Sequence, residues 1–462
     1  ARGVVPPGQP HLPARLGERG VSAPAPARRT TEQVHLHPVE EHRPTRTDLR
    51  IVAAFTVLLV LTNRIGVPAG ETAISVGIPL AYAFAAVMVY RGVLRVDKLR
   101  AELYLVAVAA TLATTAWLAV SGRAFSLTSF LLLVVVYLPW VLGTGGRAGR
   151  DVVHAAGRAF VSTVVVLSAL GVFQFLGQLT GAWSFRDYLS TWVPTGWIVP
   201  FYNFDNPLAY DSPIRKANAF VLLEPSFLSQ YAALAVLIGL VLHVRAWKQV
   251  VLLAGLASAV SGTGVVLLAV GGALVLLRAP QLVRPSHLLA GAVGIVLVLL
   301  SPVAELLLSR RGELAEPGSS GYARFVSPYQ EVLRGLAEDS SRYLVGGGAG
   351  MTERLLASNR YGNGDDVLYG VLPKLFFEYG IVAGGLVILF LVLAVLDRAP
   401  WPVVPGALLV MVFVLSGALL QPQTAYLVWL LCSIGGGDVV RRTVLRRQRP
   451  PRPAPQSDPA PA

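Results

Sequence analysis

The sequence predicts an all-α polytopic membrane protein of about twelve transmembrane helices, with a large extracytoplasmic loop before the tenth. Three observations predict it. Of 462 residues, 54% are hydrophobic and only 14% charged, where a soluble domain carries about 25% charge. Apolar runs near the length of a membrane helix recur along the chain. Lys and Arg are shared unevenly between the connections.

Taken in order, residues 1–49 are rich in Pro, Arg and His and read as a disordered cytoplasmic tail. The apolar run that follows precedes further spans, so it reads as a first span and not as a cleaved leader. The spans are 50–67, 71–90, 101–120, 125–142, 158–180, 218–242, 247–261, 262–278, 287–308, 370–396, 401–419 and 422–438. The seventh and eighth are short and share the turn "VSGTGVV". Residues 50–440 thus form one transmembrane domain with two long outer segments, 181–217 and 309–369. Residues 441–462, Pro- and Arg-rich, read as a second disordered cytoplasmic tail.

Orientation follows from the cations. With the N-terminus in the cytoplasm, 26 of the 39 Lys and Arg fall on inner segments. Eleven of the rest lie in or beside the two long outer segments, counting Lys374. Both tails are then cytoplasmic, the membrane is a bacterial plasma membrane, and the working face is extracytoplasmic. The net charge of +13 sits mainly on the inner connections and tails, so it orients the chain and calls for no nucleic-acid partner.

This topology puts all seven histidines on the inner side, from His11 to His287. Chemistry on the outer face must therefore use Asp, Glu, Arg, Lys, Tyr or Ser. The single cysteine, Cys432, lies in an apolar run and can form neither an internal disulfide nor a cysteine metal cluster. Charges sit at span edges rather than inside, whereas ion pathways and proton relays place them within the spans.

Four features mark the outer face. The first loop, "RIGVPAGE", offers one carboxylate, Glu71. The segment 181–217 is dense in Trp, Tyr and Phe, either as an interfacial belt or as a sugar-stacking surface. In 327–339, Tyr329, Val332, Leu333 and Leu336 fall at helical spacing and predict a short cap helix with one face on the membrane domain. "GGGAG", 346–350, has no following Lys-Ser/Thr, so it reads as a flexible turn and not as a nucleotide loop.

Four stretches, in this order, resemble the O-antigen polymerase / O-antigen ligase superfamily of bacterial membrane glycosyltransferases. They are "RKANAFVLLEPSFLSQYAAL", "LASAVSGTGVVLLAV", "SSGYARFVSPYQEVLRGLAEDSSRYLVGGGAG" and "LYGVLPKLFFEYGIVAGGLVILFLVL". The likeness spans about residues 50 to 440. It implies transfer of a glycan carried on polyprenyl pyrophosphate, with that lipid as donor partner and a glycan or lipid-linked acceptor, amid membrane lipid, in cell-envelope polysaccharide synthesis. By the same resemblance Arg215 and Arg324 match the arginines assigned to the pyrophosphate, with Lys216 beside the first. The ligases carry a His-Asn pair where this chain has Tyr369 and Gly370. That departure removes the ligase base and favours a polymerase-like transferase, with Tyr369 as a substrate-binding position.

Attack of a sugar hydroxyl on an anomeric carbon passes through an oxocarbenium-like transition state, with charge growing on the leaving phosphate. The leaving group calls for cations, and arginine forks suit phosphate. A glycosyl pyrophosphate is already activated, so the reaction as read needs neither metal nor cofactor. The acceptor hydroxyl calls for a base, for which Glu224, Asp365 and Asp366 are the catalytic candidates, with Glu378 behind them. Glu224 has a second reading, as the salt-bridge partner of Arg215. Glu378 has one too, as an anchor for the large loop. The alternative functions are a lipid-glycan transporter or flippase, and a non-catalytic scaffold for envelope synthesis.

Overall fold

A computed structural model describes residues 43–69, 72–200, 202, 204–208, 212–287, 289, 315–317, 319–357, 367–397, 399–415 and 419–436. Most of both predicted tails and most of the ninth span lie outside the described residues. The chain forms a mostly helical bundle. Its elements are α1 (Arg46–Leu61), β1 (Gly66–Ala69), β2 (Thr72–Ser75), α2 (Gly77–Tyr90), β3 (Arg95–Val96), α3 (Lys98–Val120), α4 (Leu127–Tyr137) and β4 (Leu142–Gly143). Then come α5 (Gly146–Leu179), α6 (Tyr188–Trp192), α7 (Pro225–Val241), α8 (Ala246–Ser258) and α9 (Gly262–Arg278). The second long segment holds α10 (Ser320–Phe325), α11 (Ser327–Glu338), α12 (Arg342–Val345) and α13 (Met351–Ala357). The chain closes with α14 (Val371–Leu396), α15 (Val404–Val410) and α16 (Pro422–Leu431). Two small antiparallel pairs, β1–β2 and β3–β4, interrupt the all-helical expectation.

Three helices are long and apolar enough to cross a membrane: Lys98–Val120, Arg147–Leu179 and Val371–Leu396. Others on the predicted spans, including Gly77–Tyr90, Pro225–Val241 and Gly262–Arg278, are apolar but have 10–17 residues. At 1.5 Å per residue these fall short of a straight crossing of about 30 Å. Large apolar side chains on α3 and α5, such as Leu105, Trp117 and Phe173, face outward. That is the surface a hydrocarbon environment would solvate.

The helices alternate in direction, and local chemistry fixes their ends. Thr45 and Asp48 form a reciprocal capping box on α1, with the Asp48 N–H donating to Thr45 Oγ1 at 3.2 Å. Asp97 caps α3 and Ser126 caps α4 through their side-chain oxygens. At one end of the bundle Arg91 pairs with Asp48, and Arg100 pairs with Asp397 at 2.9 Å. There too the Thr144 N–H donates to Ile434 O at 2.9 Å. The other end, here the loop end, carries the turns after α1, α3 and α5 and both long segments. Its contacts include the Ser126 N–H to Ala349 O and the Val199 N–H to Arg64 O, at 2.8 and 2.9 Å.

Helix α7 lies at the centre, packed between α5, α8 and α9, and is buried along almost its whole length. Small residues permit the close approach, as they do between membrane helices generally. A Cβ on Gly264 would fall 2.1 Å from Ser229 Oγ of α7, and one on Gly255 would fall 2.3 Å from Ser168 Cβ of α5. The predicted turn between the two short helices is present at Ala259–Ser261.

Three expectations are corrected. The predicted sixth span began at 218, but α7 starts at Pro225. Ahead of it, Ala219 and Phe220 have φ of 52° and 66°, so the apolar "AFVLL" is a buried turn, not helix. Helix α5 starts twelve residues before its predicted span, through a polar first stretch with Arg147, Arg150 and Asp151. The "GGGAG" segment is buried throughout rather than a flexible exposed turn. The cap helix α11 is where the spacing placed it, but Val332 and Leu336 face inward with Phe377, while Tyr329 and Leu333 are exposed.

Candidate functional site

The site is built at the loop end around the turn that precedes α7. Two glutamines one turn apart on α5 grip this turn. Gln174 Oε1 accepts from the N–H groups of Asn218 and Ala219 at 3.1 and 3.0 Å, and its Nε2 donates to Asn218 Oδ1. Gln178 exchanges two hydrogen bonds with the backbone of Arg215, at 2.8 and 3.1 Å. Buried carboxamides are costly unless paired, so this arrangement fixes the turn and its left-handed residues.

Asn63, fully buried after α1, completes the clamp. Its Oδ1 accepts from the Leu223 N–H at 3.2 Å, its Nδ2 donates to Tyr231 Oη, and its carbonyl accepts from Gln423 Nε2 at 3.0 Å. One residue thereby ties together the starts of α7 and α16. Arg64, 3% exposed, makes a bidentate pair with Asp187 at 2.9 and 2.7 Å and lies 3.4 Å over the ring of Phe204. Burial alone would raise the Asp187 carboxyl, but the Arg64 and Ser190 hydrogen bonds outweigh it and hold it below its ordinary value. Trp183, Tyr188 and Phe220 pack on one another beside this pair, while Trp192 is exposed.

Glu224 is the N-cap residue of α7, with Pro225 at the first helical position. Ser226 Oγ donates to Glu224 Oε2 at 3.0 Å. A negative group is favoured at this positive helix end. Its charge reaches two side chains brought from elsewhere. Burial pulls the Arg324 guanidinium below its ordinary value, and the Glu224 charge opposes that pull. Arg324 is half-buried on α10, and its Nε has no hydrogen-bond partner. Burial and then the Glu224 charge push the Tyr202 phenol up to about 12, against a lowering by the Gln421 hydrogen bond. Gln421, the N-cap residue of α16, supplies that bond from Nε2 to Tyr202 Oη at 3.0 Å.

The predicted site residues divide accordingly. Glu224 and Arg324 are close enough for the carboxylate's charge to act on the guanidinium. Tyr369 is buried and stacked on Phe377, with ring centroids 6.2 Å apart. The Leu368 N–H donates to Ala323 O at 2.9 Å, so the strip before α14 runs beside α10. Arg215 forms its ion pair with Asp205 at 2.5 Å and donates to Ser212 O at 2.7 Å. The partner that the sequence offered for Glu224 is thus engaged by a different carboxylate. The Lys216 N–H donates to Asn206 O at 2.9 Å. Asp365 and Asp366 lie outside the described residues.

Glu378 is an anchor. It is buried on α14, where Lys374 Nζ lies 3.4 Å from its Oε1 and Thr352 Oγ1 donates to the same oxygen at 2.7 Å. Lys374 also pairs with Glu353 of α13, so the network joins the large segment to α14. Two turns of α14 are separated at Gly380, whose φ is 70°. Facing that break, the Gly347 and Gly348 N–H groups donate to Phe377 O and Glu378 O at 2.8 and 2.9 Å. A Cβ at Gly346 would fall 2.3 Å from Glu378 O, which explains the glycines of the turn.

Sequence reading had Tyr202 only as one of the aromatics of 181–217, and it missed Asn63 and Gln421. A signal was present for the last. "Glu-Pro" at 224–225 and "Gln-Pro" at 421–422 are the same device, a polar N-cap followed by proline. Among the described residues no group of three or more His, Cys, Asp and Glu side chains could hold a metal ion.

Compared with known proteins, residues 50–435 match a family model described as WcaD colanic acid polymerase. No curated protein matches the chain. The matched stretch runs from α1 past the end of α16 and takes in the two long segments.

Proposed function

The chain belongs to the WcaD colanic acid polymerase family, and on that footing we propose that it joins polyprenyl-pyrophosphate-linked glycan units at the loop end, outside the plasma membrane. A hydroxyl of the acceptor glycan attacks the anomeric carbon of the donor. The new C–O bond forms as the bond to the pyrophosphate breaks, and the leaving group keeps the electron pair. Glu224 takes the hydroxyl proton, and Arg324 balances the charge that grows on the phosphate.

The observation that carries this reading is the Glu224–Arg324 relation. A carboxylate at a helix start acts on a half-buried arginine whose Nε has no protein acceptor. Burial strengthens such a cation's pull on an incoming phosphate. Tyr202, Gln421 and the strip holding Tyr369 supply neutral walls in which a sugar can be oriented. Arg215 and Lys216, on the neighbouring turn, extend positive charge along the donor's path. Tyr369, in place of the base of the ligases, supports the polymerase form of the reaction.

The test is transfer between purified lipid-linked repeat units in detergent. Glu224→Gln and Arg324→Ala should each abolish chain growth while the protein stays folded. Normal growth in both variants would refute the assignment.

A further inference from the structure

The loop end also has a basic cleft, of about 520 Å³. Resting on the transfer reading above, we propose that it holds the pyrophosphate of the acceptor lipid. Arg123 comes from the turn between α3 and α4, Asp339 and Arg342 from the junction of α11 and α12, and Arg354 from α13. Ala124 and Gly347 complete the part used here. None of Glu224, Arg324, Tyr202 or Gln421 lines it.

Three arginines and one aspartate line the cleft. Asp339 pairs with Arg123 at 2.8 Å and stands 3.8 Å from Arg342 Nε. That Nε is buried and makes no hydrogen bond. Arg342 also donates to Gly335 O, while Arg354 donates to Ala124 O and Ala349 O at 2.7 and 3.0 Å. These carbonyl bonds hold the arginines in place without cancelling charge, and only Asp339 and Glu338 offset it. The lining sets three arginines against one aspartate, and Glu338, 3.7 Å from Arg342, reduces the surplus to one positive charge. Such a set of fixed forks matches a phosphate-bearing anion.

Depth identifies which phosphate. Arg123 follows α3 directly after the exposed apolar Trp117 and Val120, where the hydrocarbon-facing surface stops. The cleft thus opens at headgroup level. A polymerase engages two lipid pyrophosphates at once, and the acceptor keeps its own through the reaction. The Arg324 cluster serves the one that leaves, and this cleft serves the one that stays.

Bilayer phospholipid presents the same chemistry, so the experiment separates the two sources. The full chain in nanodiscs is titrated with glycan-free polyprenyl pyrophosphate and, separately, with phosphatidylglycerol. An Arg324→Ala background removes the first site's contribution. Arg123→Gln and Arg342→Gln should each weaken pyrophosphate binding at least tenfold, Asp339→Asn should tighten it, and phosphatidylglycerol binding should not change. In turnover, with Arg324 intact, the same glutamine variants should raise the acceptor KM about tenfold and leave the donor KM alone. Arg123, the more exposed, guards against a folding defect at Arg342. Unchanged pyrophosphate affinity overturns the proposal, as does a loss confined to phosphatidylglycerol, or an Asp339→Asn variant that weakens binding like the others. Because the primary readout is binding, it stands apart from the transfer reading. Normal turnover in Glu224→Gln would remove the chemistry assigned above without altering this titration.

Discussion

The Glu224 charge reaches Arg324 through space: the carboxylate that opens α7 favours the charged form of an arginine on α10 that burial disfavours. The α5 clamp holds the turn ahead of Glu224, and the Leu368–Ala323 hydrogen bond holds the strip before α14 beside α10.

Removing the charge of Arg324 should cost more than changing its shape. Arg324→Lys keeps one cation but loses the fork, so turnover should fall about tenfold to a hundredfold. Arg324→Ala should fall further. Steady-state transfer assays on both variants check the ranking. Equal activity in the two variants would show that the charge alone has no role, and wild-type activity in Arg324→Lys that the fork has none.

Glu224→Gln keeps the size and the N-cap position but cannot take a proton. A general base contributes about 10²–10⁴-fold, so kcat should drop by that order with donor binding retained. Glu224→Asp should recover part of the rate. A measured donor affinity that falls in step with kcat would show the carboxylate to be a binding group only.

Asn63 positions Glu224 without touching substrate. Asn63→Ala leaves the buried Leu223 N–H without an acceptor, a penalty of about 1–3 kcal/mol. Both melting temperature and kcat should fall. Asn63→Asp retains the acceptor oxygen but loses the donor to Tyr231, so it should keep more activity than alanine. The reverse order would discard the positioning role.

The Arg64–Asp187 pair predicts an acid limit to stability. Asp187 titrates in the folded protein below its ordinary 3.8. Its contribution is therefore complete above that value and is lost as pH falls through the lower folded one. Melting temperature should drop on acidification through that window in the wild type. In Asp187→Asn the drop should shrink, from a starting point already about 1.5–3 kcal/mol less stable. An identical pH profile in the variant would contradict the pairing.

Gly380 and Gly346 tolerate no side chain. Either alanine variant meets a backbone oxygen at 2.3 Å and a left-handed backbone costing about 1–2 kcal/mol. Extraction in folded form should collapse for both. Gly385→Ala, with open space around its Cβ position, should be neutral.

Hydropathy made most of the bundle legible, because lipid-facing and core-facing helices are both apolar. It failed where apolar residues are buried without being helical. Leu222 and Leu223 read as span, yet they sit in a turn held by side chains of α1 and α5. It failed in the opposite sense at the start of α5, where arginines continue a helix beyond its apolar part. Glu224 was visible as an isolated charge at a span edge, and Arg324 through the resemblance as an arginine of the large segment. Their relation was not, because the turn ahead of Glu224 is held by Gln174, Gln178 and Asn63, uncharged residues inside or beside apolar runs. Glu378 illustrates the same limit. Its position among candidates for chemistry was readable, but its ties to Lys374 and Thr352 were not.

The break in α14 has a consequence for how the protein is made. Two of the carbonyls that the break strips of helical partners, on Phe377 and Glu378, are satisfied by N–H groups of Gly347 and Gly348. The large segment thus supplies the missing rungs of a helix long and apolar enough to cross a membrane. That segment precedes α14 in the chain. The patch is therefore synthesised before the helix that needs it, and a change in the glycine turn is felt as two unpaired carbonyls inside α14.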